Sequence, residues 1–289
     1  MGGDQLESPQ WVAVRFKMPV RIIESKQNAR LKELRRALRS PERKGGVIGI
    51  EGPNLVEEAL RAGLRFRCVF AGDGFQHWLA GLRLPADTER LALPKGILAS
   101  MFVTDTPQPV AALVDPPSWD WTNLLGPKRP SPLVVILAGL QDPGNLGAIL
   151  RSAEAFGANG VVNLPGTVSP WNQKAMRASA GSVFRLPVIR AGVDECFSRM
   201  RGAGVRVLTT AASGAAPAEA MDLTAPVALL IGNEGSGVPD EIAGRADATV
   251  TIPCPGPVES LNASVAASIL LYEASRQRRR TSEARRSRS

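Results

Sequence analysis

Apolar and polar positions along the chain form two alternating patterns, separated by a proline-rich stretch. In the C-terminal pattern, short apolar runs typical of buried strands alternate with longer amphipathic runs typical of helices. Strands connected by helices pair in parallel and are covered on both faces, so this region predicts a parallel α/β sheet. The predicted strands are 133–138, 160–164, 205–210, 226–231 and 249–252, and the predicted helices lie near 145–157, 171–180, 194–203 and 261–279.

The N-terminal pattern predicts a second, smaller α/β unit. Leu31, Leu34 and Leu38 recur at helical spacing within a basic stretch, which indicates an amphipathic helix with a cationic outer face. Short apolar runs and one further amphipathic run follow it. The other elements predicted in this unit are strands at 47–50, 68–71 and 110–114 and a helix at 54–62.

The boundary between the two units is marked by five prolines from Pro116 to Pro132. Proline can neither donate a hydrogen bond to a sheet nor continue a helix, so this segment is the natural linker. The predicted organisation is a loose extension at 1–18, a small α/β domain at 19–116, a linker at 117–131, the parallel-sheet domain at 132–279 and a basic disordered tail at 280–289.

The formal net charge of +8 is concentrated near the two ends of the chain. The last fourteen residues, 276–289, contain seven arginines and one glutamate, which is +6 and leaves +2 for the remainder. A second basic cluster surrounds the first predicted helix. Two interpretations of the tail remain open: a solvated terminus, or electrostatic attraction to a polyanion such as RNA.

Several classes of protein are disfavoured. No apolar run approaches the roughly 18 residues that span a bilayer, and the first residues lack a signal-peptide core, so we expect a cytoplasmic protein without a membrane partner. Cys68, Cys196 and Cys254 form no CxxC pair, which argues against disulfides and a zinc site. The one histidine, His77, lies outside the second domain. A histidine-based triad or a His/Cys metal site in the second domain is therefore excluded.

Three glycine-rich segments follow predicted strands of the second domain, at 137–151, 230–238 and 252–264. Ligands of open parallel sheets bind at the carboxyl ends of strands, so we expect the three segments to meet around a ligand. Each segment alone could instead be a helix-capping turn. Neither GxGxxG nor GxxxxGK[ST] occurs, which argues against a dinucleotide-binding Rossmann enzyme and against a P-loop NTPase.

Together, the three segments resemble the motifs of the SpoU (TrmH) family, part of the SPOUT superfamily of RNA methyltransferases. The first motif places an arginine six residues after an asparagine, as do Asn145 and Arg151. The second, Gly-x-Glu-Gly-x-Gly, matches 232–237, and the third, Ile-Pro-x-x-Gly-x-x-x-Ser-Leu-Asn, matches 252–262. Residues 51–60 and the preceding basic helix resemble the accessory substrate-binding domain of members that act on ribosomal RNA.

The resemblance implies a small α/β RNA-binding domain followed by a SPOUT domain with a deep trefoil knot. It implies an S-adenosylmethionine-dependent enzyme that methylates a ribose 2′-hydroxyl, with ribosomal RNA favoured over tRNA. It also implies a homodimer that needs no metal. The alternatives are a tRNA 2′-O-methyltransferase and a non-catalytic RNA-binding or ribosome-assembly protein on the same fold.

The resemblance also assigns roles to individual positions. The expected cofactor-binding residues are Leu230, Ile231, Gly232, Asn233, Gly235, Ile252, Pro253, Gly256, Ser260 and Leu261. The expected catalytic residues are Arg151, Asn145, Glu234, Ser260 and Asn262. The expected RNA-binding residues are Lys26, Asn28, Arg30, Arg35, Arg36 and Arg151.

Structural interpretations compete with these roles. A guanidinium stays protonated at neutral pH, so Arg151 is expected to stabilise a developing alkoxide or to bind a phosphate, and not to act as a base. Asn145 could cap the helix that follows Gly144, and Glu234 could orient its own loop. Ser260 could cap the last helix, with Asn262 as one of its first residues.

Overall fold

The computed structural model describes five ranges of the chain: 20–39, 46–94, 96–102, 107–127 and 131–286. The predicted extension at 1–18 lies outside them. The described residues form two sheets, one in each predicted domain. No helix within these ranges is both long enough and apolar enough to cross a bilayer.

The N-terminal domain contains β1 (Arg21–Ile22), α1 (Ala29–Arg39), β2 (Ile48–Glu51), α2 (Pro53–Arg61), β3 (Phe66–Ala71), α3 (Gln76–Gly81), β4 (Glu89–Ala92) and β5 (Val110–Val114). Its mixed sheet has the strand order β1-β4-β3-β5-β2. Strand β5 pairs antiparallel with β3 and β2, whereas β4 pairs parallel with β1 and β3. Strand β2 is therefore an edge of this sheet.

The second domain follows α4 (Trp121–Leu125) and contains β6 (Leu133–Leu137), α5 (Pro143–Ala155), β7 (Gly160–Asn163), α6 (Gln173–Ala178), β8 (Val188–Arg190), α7 (Val193–Gly202), β9 (Arg206–Thr210), β10 (Ala216–Pro217), β11 (Val227–Ile231), α8 (Asp240–Ala243), β12 (Ala248–Thr251) and α9 (Ala263–Arg286). Its sheet is entirely parallel, with the order β10-β12-β9-β11-β6-β7-β8. All five strands and four helices predicted here are present, with bounds within two residues except at the end of the last helix.

The central strands are apolar throughout because the sheet is covered on both faces. Every residue of β6 and of β11 is buried, as a strand between two helical layers requires. Residues of α5, α6 and α9 pack on one face, and residues of α4 and α7 pack on the other. Parallel pairing brings the carboxyl ends of β6, β9, β11 and β12 to the same edge of the sheet.

The segment predicted as the linker, 117–131, contains the helix α4. Asp120 caps this helix by accepting from the backbone N–H of Asn123, whose side chain accepts from the Asp120 N–H in return. The indole of Trp121 donates to Glu195 of α7 at 2.7 Å. The connection is therefore packed against the second domain.

The tail predicted as disordered at 280–289 is helical as far as Arg286, where α9 ends, and residues 287–289 lie outside the described ranges. The first arginines of this basic stretch have partners within the protein. Arg276 forms an ion pair with Glu273, and the guanidinium of Arg279 lies 6.0 Å from the centre of the Tyr272 ring. These contacts stabilise the helical turns that precede residue 280.

Arg278 anchors α9 to the start of the sheet. Its guanidinium donates to four backbone carbonyl oxygens at 2.6–3.4 Å, those of Leu223, Ser131, Pro132 and Ala225. Because these acceptors would lose a charged donor, we expect Arg278→Ala to lower the free energy of unfolding by about 3 kcal/mol. Urea denaturation measures this, with Arg279→Ala expected to cost about 0.5 kcal/mol or less. Equal losses in the two variants would contradict the anchoring role.

Candidate active site

A cavity of about 330 Å³ lies at the carboxyl ends of β9, β11 and β12. Two of the glycine-rich segments predicted from the sequence meet here, one after β11 and one between β12 and α9. Such a cavity at the carboxyl edge of a parallel sheet is the usual ligand site of this architecture. Its lining includes Ile231, Gly232, Asn233, Glu234, Gly235, Ile252, Ser260 and Leu261 from the predicted site.

Three of the predicted cofactor-binding residues do not line the cavity. Leu230 is fully buried in the core, and its carbonyl oxygen accepts from Thr210 Oγ1 at 3.2 Å. Pro253 and Gly256 are exposed on the loop outside the cavity. The sequence reasoning in turn missed the end of β9, because this segment carries no glycine-rich signature. The missed lining residues on that side are Thr210, Ala211 and Ala212.

The loop after β11 is a tight hairpin that only glycine allows at its base. Asn233 and Gly237 exchange two backbone hydrogen bonds, at 2.8 and 3.0 Å. A Cβ on Gly232 would lie 2.1 Å from the carbonyl carbon of Gly237, far inside van der Waals contact. The Asn233 side chain donates to the Gly139 carbonyl at 3.0 Å, which ties the hairpin to the loop after β6. The backbone of this hairpin therefore forms one wall of the cavity.

Polar side chains from all three motifs form one hydrogen-bonded chain beside the cavity. Asn145 Nδ2 donates to Glu234 Oε1 at 3.0 Å, and Asn262 Nδ2 donates to Asn145 Oδ1 at 3.1 Å. Glu234 Oε1 also accepts from the Asp142 N–H at 3.2 Å. Partial burial would raise the pKa of Glu234, but the hydrogen bond from Asn145 and the backbone N–H groups outweigh it and lower the pKa. The carboxylate is thus ionised and fixes the orientation of both amides.

The residues that cap α5 and α9 are not Asn145 and Ser260, the two caps that the sequence suggested. Asp142 caps α5 by accepting from the Asn145 N–H at 2.8 Å, so the Asn145 side chain is left for the network. The ammonium of Lys174 lies 3.0 Å from the Asp142 carboxylate and lowers its pKa. Asn262 caps α9, since its Oδ1 accepts from the Ser264 N–H at 2.9 Å. Ser260 lies before this cap, is exposed, and lines the cavity.

Arg151 is not among the residues that line the cavity. It is exposed on α5, and within the described part of the chain its guanidinium makes no hydrogen bond or ion pair. Helix α5 runs parallel to α9, with Ser152 Oγ 2.7 Å from Ser268 Oγ and the Phe156 ring 5.7 Å from the Tyr272 ring. A single copy of the chain therefore leaves Arg151 on an open surface.

The predicted RNA-binding residues of the N-terminal domain fall into two groups. Lys26, Arg35 and Arg36 are exposed on or before α1. Asn28 instead caps α1 by accepting from the Arg30 N–H at 2.8 Å. Arg30 is paired with acidic side chains, and hydrogen bonds to Glu33 and Glu89 raise its pKa. The helix cap made by Asn28 and the ion pairs made by Arg30 thus give these two residues structural roles that involve no contact with RNA.

Comparison with known protein families identifies both domains. Residues 132–272 match the SpoU rRNA Methylase family, and residues 50–119 match the RNA 2′-O ribose methyltransferase substrate binding family. The chain is 33% identical over 255 residues to the 23S rRNA (guanosine(2553)-2′-O)-methyltransferase RlmP of Bacillus subtilis (strain 168). This similarity covers 86% of the chain and 97% of that protein.

Solved structures show the same fold over nearly the whole chain. The AdoMet-bound rRNA methyltransferase from Sinorhizobium meliloti superposes with a TM-score of 0.77 at 30% identity, covering 89% of this chain and 98% of that one. The SpoU methyltransferase AviRb from Streptomyces viridochromogenes, in complex with AdoMet, gives a TM-score of 0.76 at 30% identity, with coverages of 87% and 98%. The predicted SPOUT fold, accessory domain and cofactor are confirmed. The chain belongs to the SpoU rRNA methylase family and is an S-adenosylmethionine-dependent RNA ribose methyltransferase.

Proposed function

We propose that this chain methylates one ribose 2′-hydroxyl of 23S ribosomal RNA. The observation that carries the proposal is the hydrogen-bonded chain of Glu234, Asn145 and Asn262, which joins all three motifs beside the cavity. The 23S ribosomal RNA named for the Bacillus subtilis relative supports the choice of RNA. A tRNA substrate is the main alternative.

The cavity fits S-adenosylmethionine in size and in chemistry. Its volume of about 330 Å³ lies within the range of small-ligand sites. Ile231, Ile252 and Leu261 provide apolar walls that suit the adenine ring. Glu234 and Glu259 provide negative charge, which suits the sulfonium and ammonium groups of the cofactor. The proposed cofactor-binding residues are therefore those predicted residues that line the cavity.

The protein's own part in the reaction is to orient the ribose and to stabilise charge. When bound, S-adenosylmethionine supplies a methyl group on a positively charged sulfur. The attacking hydroxyl must be aligned with it, and the negative charge that grows on its oxygen must be stabilised. Asn145 and Ser260 are proposed to orient the ribose. The guanidinium of Arg151 is proposed to stabilise the developing charge or to hold the adjacent phosphate.

We further propose a homodimer that forms through α9. Val265, Ile269 and Tyr272 lie on one face of this helix and are 46%, 38% and 49% exposed. An exposed apolar stripe of this kind is typical of an interface between proteins. A two-fold contact here also brings the adjacent α5 helices together. Arg151 of one copy would then reach the cavity of the other.

The dimer is tested by Ile269→Lys, which places a charge in the middle of the apolar stripe. We expect the dimer dissociation constant to rise about 100-fold or more, because an interface core disfavours an unpaired charge. Sedimentation velocity measures the change. Ile22→Lys is the matched control, since Ile22 is 68% exposed on the other domain. An unchanged dimer in Ile269→Lys would contradict an interface on α9.

The N-terminal domain is proposed to contact the RNA backbone through the exposed face of α1. Arg35 and Arg36 on this helix and Lys26 just before it provide the positive charge. Phosphate contacts of this type release counterions, so RNA affinity should fall as salt rises. The cytoplasm is the proposed location, in keeping with the free thiols of Cys68, Cys196 and Cys254.

The decisive experiment offers the protein labelled S-adenosylmethionine with unmodified transcripts of 23S ribosomal RNA, 16S ribosomal RNA and tRNA. The RNA is then digested, and its nucleosides are identified by mass spectrometry. We expect one 2′-O-methylnucleoside in the 23S transcript alone. Transfer to tRNA alone would establish the tRNA alternative, and a methyl group on a base would contradict ribose chemistry. Cofactor binding without transfer to any free RNA would point to an assembled ribosomal particle as the substrate.

A further inference from the structure

Polar contacts hold the substrate-binding domain against the methyltransferase domain, and the two domains also share buried apolar residues. Buried residues of both domains belong to one continuous cluster. Gln173 Nε2 of α6 donates to the carbonyl oxygen of Gly49 at 2.8 Å, which satisfies an acceptor on the open edge strand β2. Arg185, on the segment after α6, donates through Nη1 to Glu58 of α2 at 2.6 Å. The relative position of the two domains is therefore specified by particular side chains.

Arg185 is distinctive because it also binds the helix that carries two of the predicted catalytic residues. Its Nε and Nη2 donate to the two carboxylate oxygens of Glu154 at 2.7 and 3.0 Å. Two parallel bonds of this kind fix the guanidinium in direction as well as in distance. Glu154 lies on α5, three residues after Arg151. One guanidinium thus joins α2 of the substrate-binding domain directly to α5.

The electrostatics keep this bridge intact at neutral pH. The hydrogen bond from Arg185 is the main cause of a lowered pKa at Glu58. At Glu154, partial burial would raise the pKa, but hydrogen bonds from Arg185 and Ser182, together with the charge of Arg185, outweigh it, so the pKa is lowered as well. Both carboxylates are therefore ionised, and the arginine pairs with two negative charges.

Gly181 determines how closely α2 approaches this arginine. Its φ is +85°, in the left-handed region, and a Cβ there would lie 2.6 Å from Glu58 Cβ. Glycine alone tolerates both the backbone conformation and the close contact. The segment that carries Arg185 is therefore built to accept α2 at short range.

We propose that Arg185 is a positioning residue that holds the substrate-binding domain in register with α5, so that RNA bound on α1 presents its target ribose to the cavity. This inference rests on the proposed RNA methyltransferase function and names a residue through which the two domains act together. Catalysis requires the hydroxyl to be placed within about 1 Å of its productive position. Loosening the domain contact should therefore lower turnover even when the cavity is intact.

The test compares Arg185→Gln, Glu58→Gln and their double variant in the full chain, with the 23S ribosomal RNA transcript as probe. We expect each single variant to lower kcat on the order of tenfold, with the dissociation constant of S-adenosylmethionine unchanged. The double variant should be no slower than Arg185→Gln, because both changes break the same bridge. The kcat of Arg185→Lys should lie between those of Arg185→Gln and the wild type, because lysine keeps the positive charge but cannot form the two parallel hydrogen bonds of a guanidinium.

Arg61→Gln is the matched control. Arg61 pairs with the same Glu58, but both residues lie on α2, so no contact between domains is lost. Its kcat should stay within about twofold of the wild type, as expected for an exposed ion pair. Gly181→Ala supplies a second way to open the contact, since it displaces α2 and leaves every charge in place. It should reproduce the loss of kcat.

Amide hydrogen exchange provides a readout that does not depend on activity. Arg185→Gln should speed exchange in α2 and leave the hairpin at 232–237 unchanged. A loss of cofactor affinity in step with kcat, or an equal loss of kcat in Arg61→Gln, would overturn the proposal. Faster exchange in α2 with normal kcat would overturn it as well. Failure of the wild type to methylate the transcript would contradict the proposed substrate, and not the bridge between the domains. Unchanged exchange in α2 of Arg185→Gln would contradict the bridge itself, whatever the substrate.

Discussion

Replacing Arg151 by alanine is expected to lower kcat on the order of 1000-fold, the size of effect seen when one group that stabilises a developing oxyanion is removed. The dissociation constant of S-adenosylmethionine should stay unchanged, because Arg151 does not line the cavity of its own copy and is assigned to the RNA, and not to the cofactor, at the cavity of the other copy. Methyl transfer under single-turnover conditions and calorimetric titration of the cofactor measure the two effects. Arg201→Ala removes an exposed arginine elsewhere on the domain and should leave both values unchanged. A parallel loss of cofactor affinity would contradict the assigned role.

Mixed dimers can show whether Arg151 acts on the cavity of the other copy. In a heterodimer of Arg151→Ala and Gly232→Ala copies, action across the interface pairs an intact arginine with an intact cavity at one of the two sites. Activity should then recover to about half that of the wild-type dimer. If Arg151 acted within its own chain, each site would lack one component and the mixture would stay inactive.

Gly232→Ala is expected to weaken S-adenosylmethionine binding on the order of 100-fold, because the added methyl group forces the backbone of the hairpin to move. A Cβ at this position would lie 2.1 Å from the carbonyl carbon of Gly237 and 2.2 Å from the Val238 nitrogen. Neither atom belongs to a side chain that could rotate away. Calorimetric titration of the cofactor measures the loss.

Gly235→Ala is the matched comparison for this prediction. It adds the same methyl group to the same hairpin, where the nearest atom is Asn233 Oδ1 at 3.6 Å. Ordinary contact at that distance should change the affinity by about threefold or less. Equal losses in the two variants would mean that any added bulk in the hairpin blocks the cofactor, and that the close approach at Gly232 has no special importance.

Much of the fold could be predicted because its central strands are buried on both faces. Runs such as Leu133–Leu137 and Val227–Ile231 are apolar at every position, which few other structures require. Strand β8 was missed because Val188–Arg190 is only three residues long. The helix in the linker did carry a local signal, the capping box that begins at Asp120, but the surrounding prolines obscured it. The trefoil knot was predicted from the family resemblance alone, since ordinary topology rules make knots very rare.

The sequence identified individual residues of the candidate site but not the hydrogen bonds between them. The motifs identified Asn145, Glu234 and Asn262, but their mutual hydrogen bonds depend on how three distant segments meet. The capping role of Asp142 could have been recognised, because Pro143 favours the first helical position and places the cap one residue earlier. No sequence pattern marked Arg185, since its two carboxylate partners lie 127 and 31 residues away along the chain.

The anchoring of α9 determines when the hydrogen-bonded network can form during synthesis of the chain. Asn262, which completes the network with Asn145, caps the last helix, and Arg278 binds that helix to the carbonyl oxygens of Ser131, Pro132, Leu223 and Ala225. A chain emerging from the ribosome therefore has no complete network until α9 has been synthesised. Contacts between such distant segments also form slowly. Methylation competence should thus appear only after α9 has been made and has bound to the sheet.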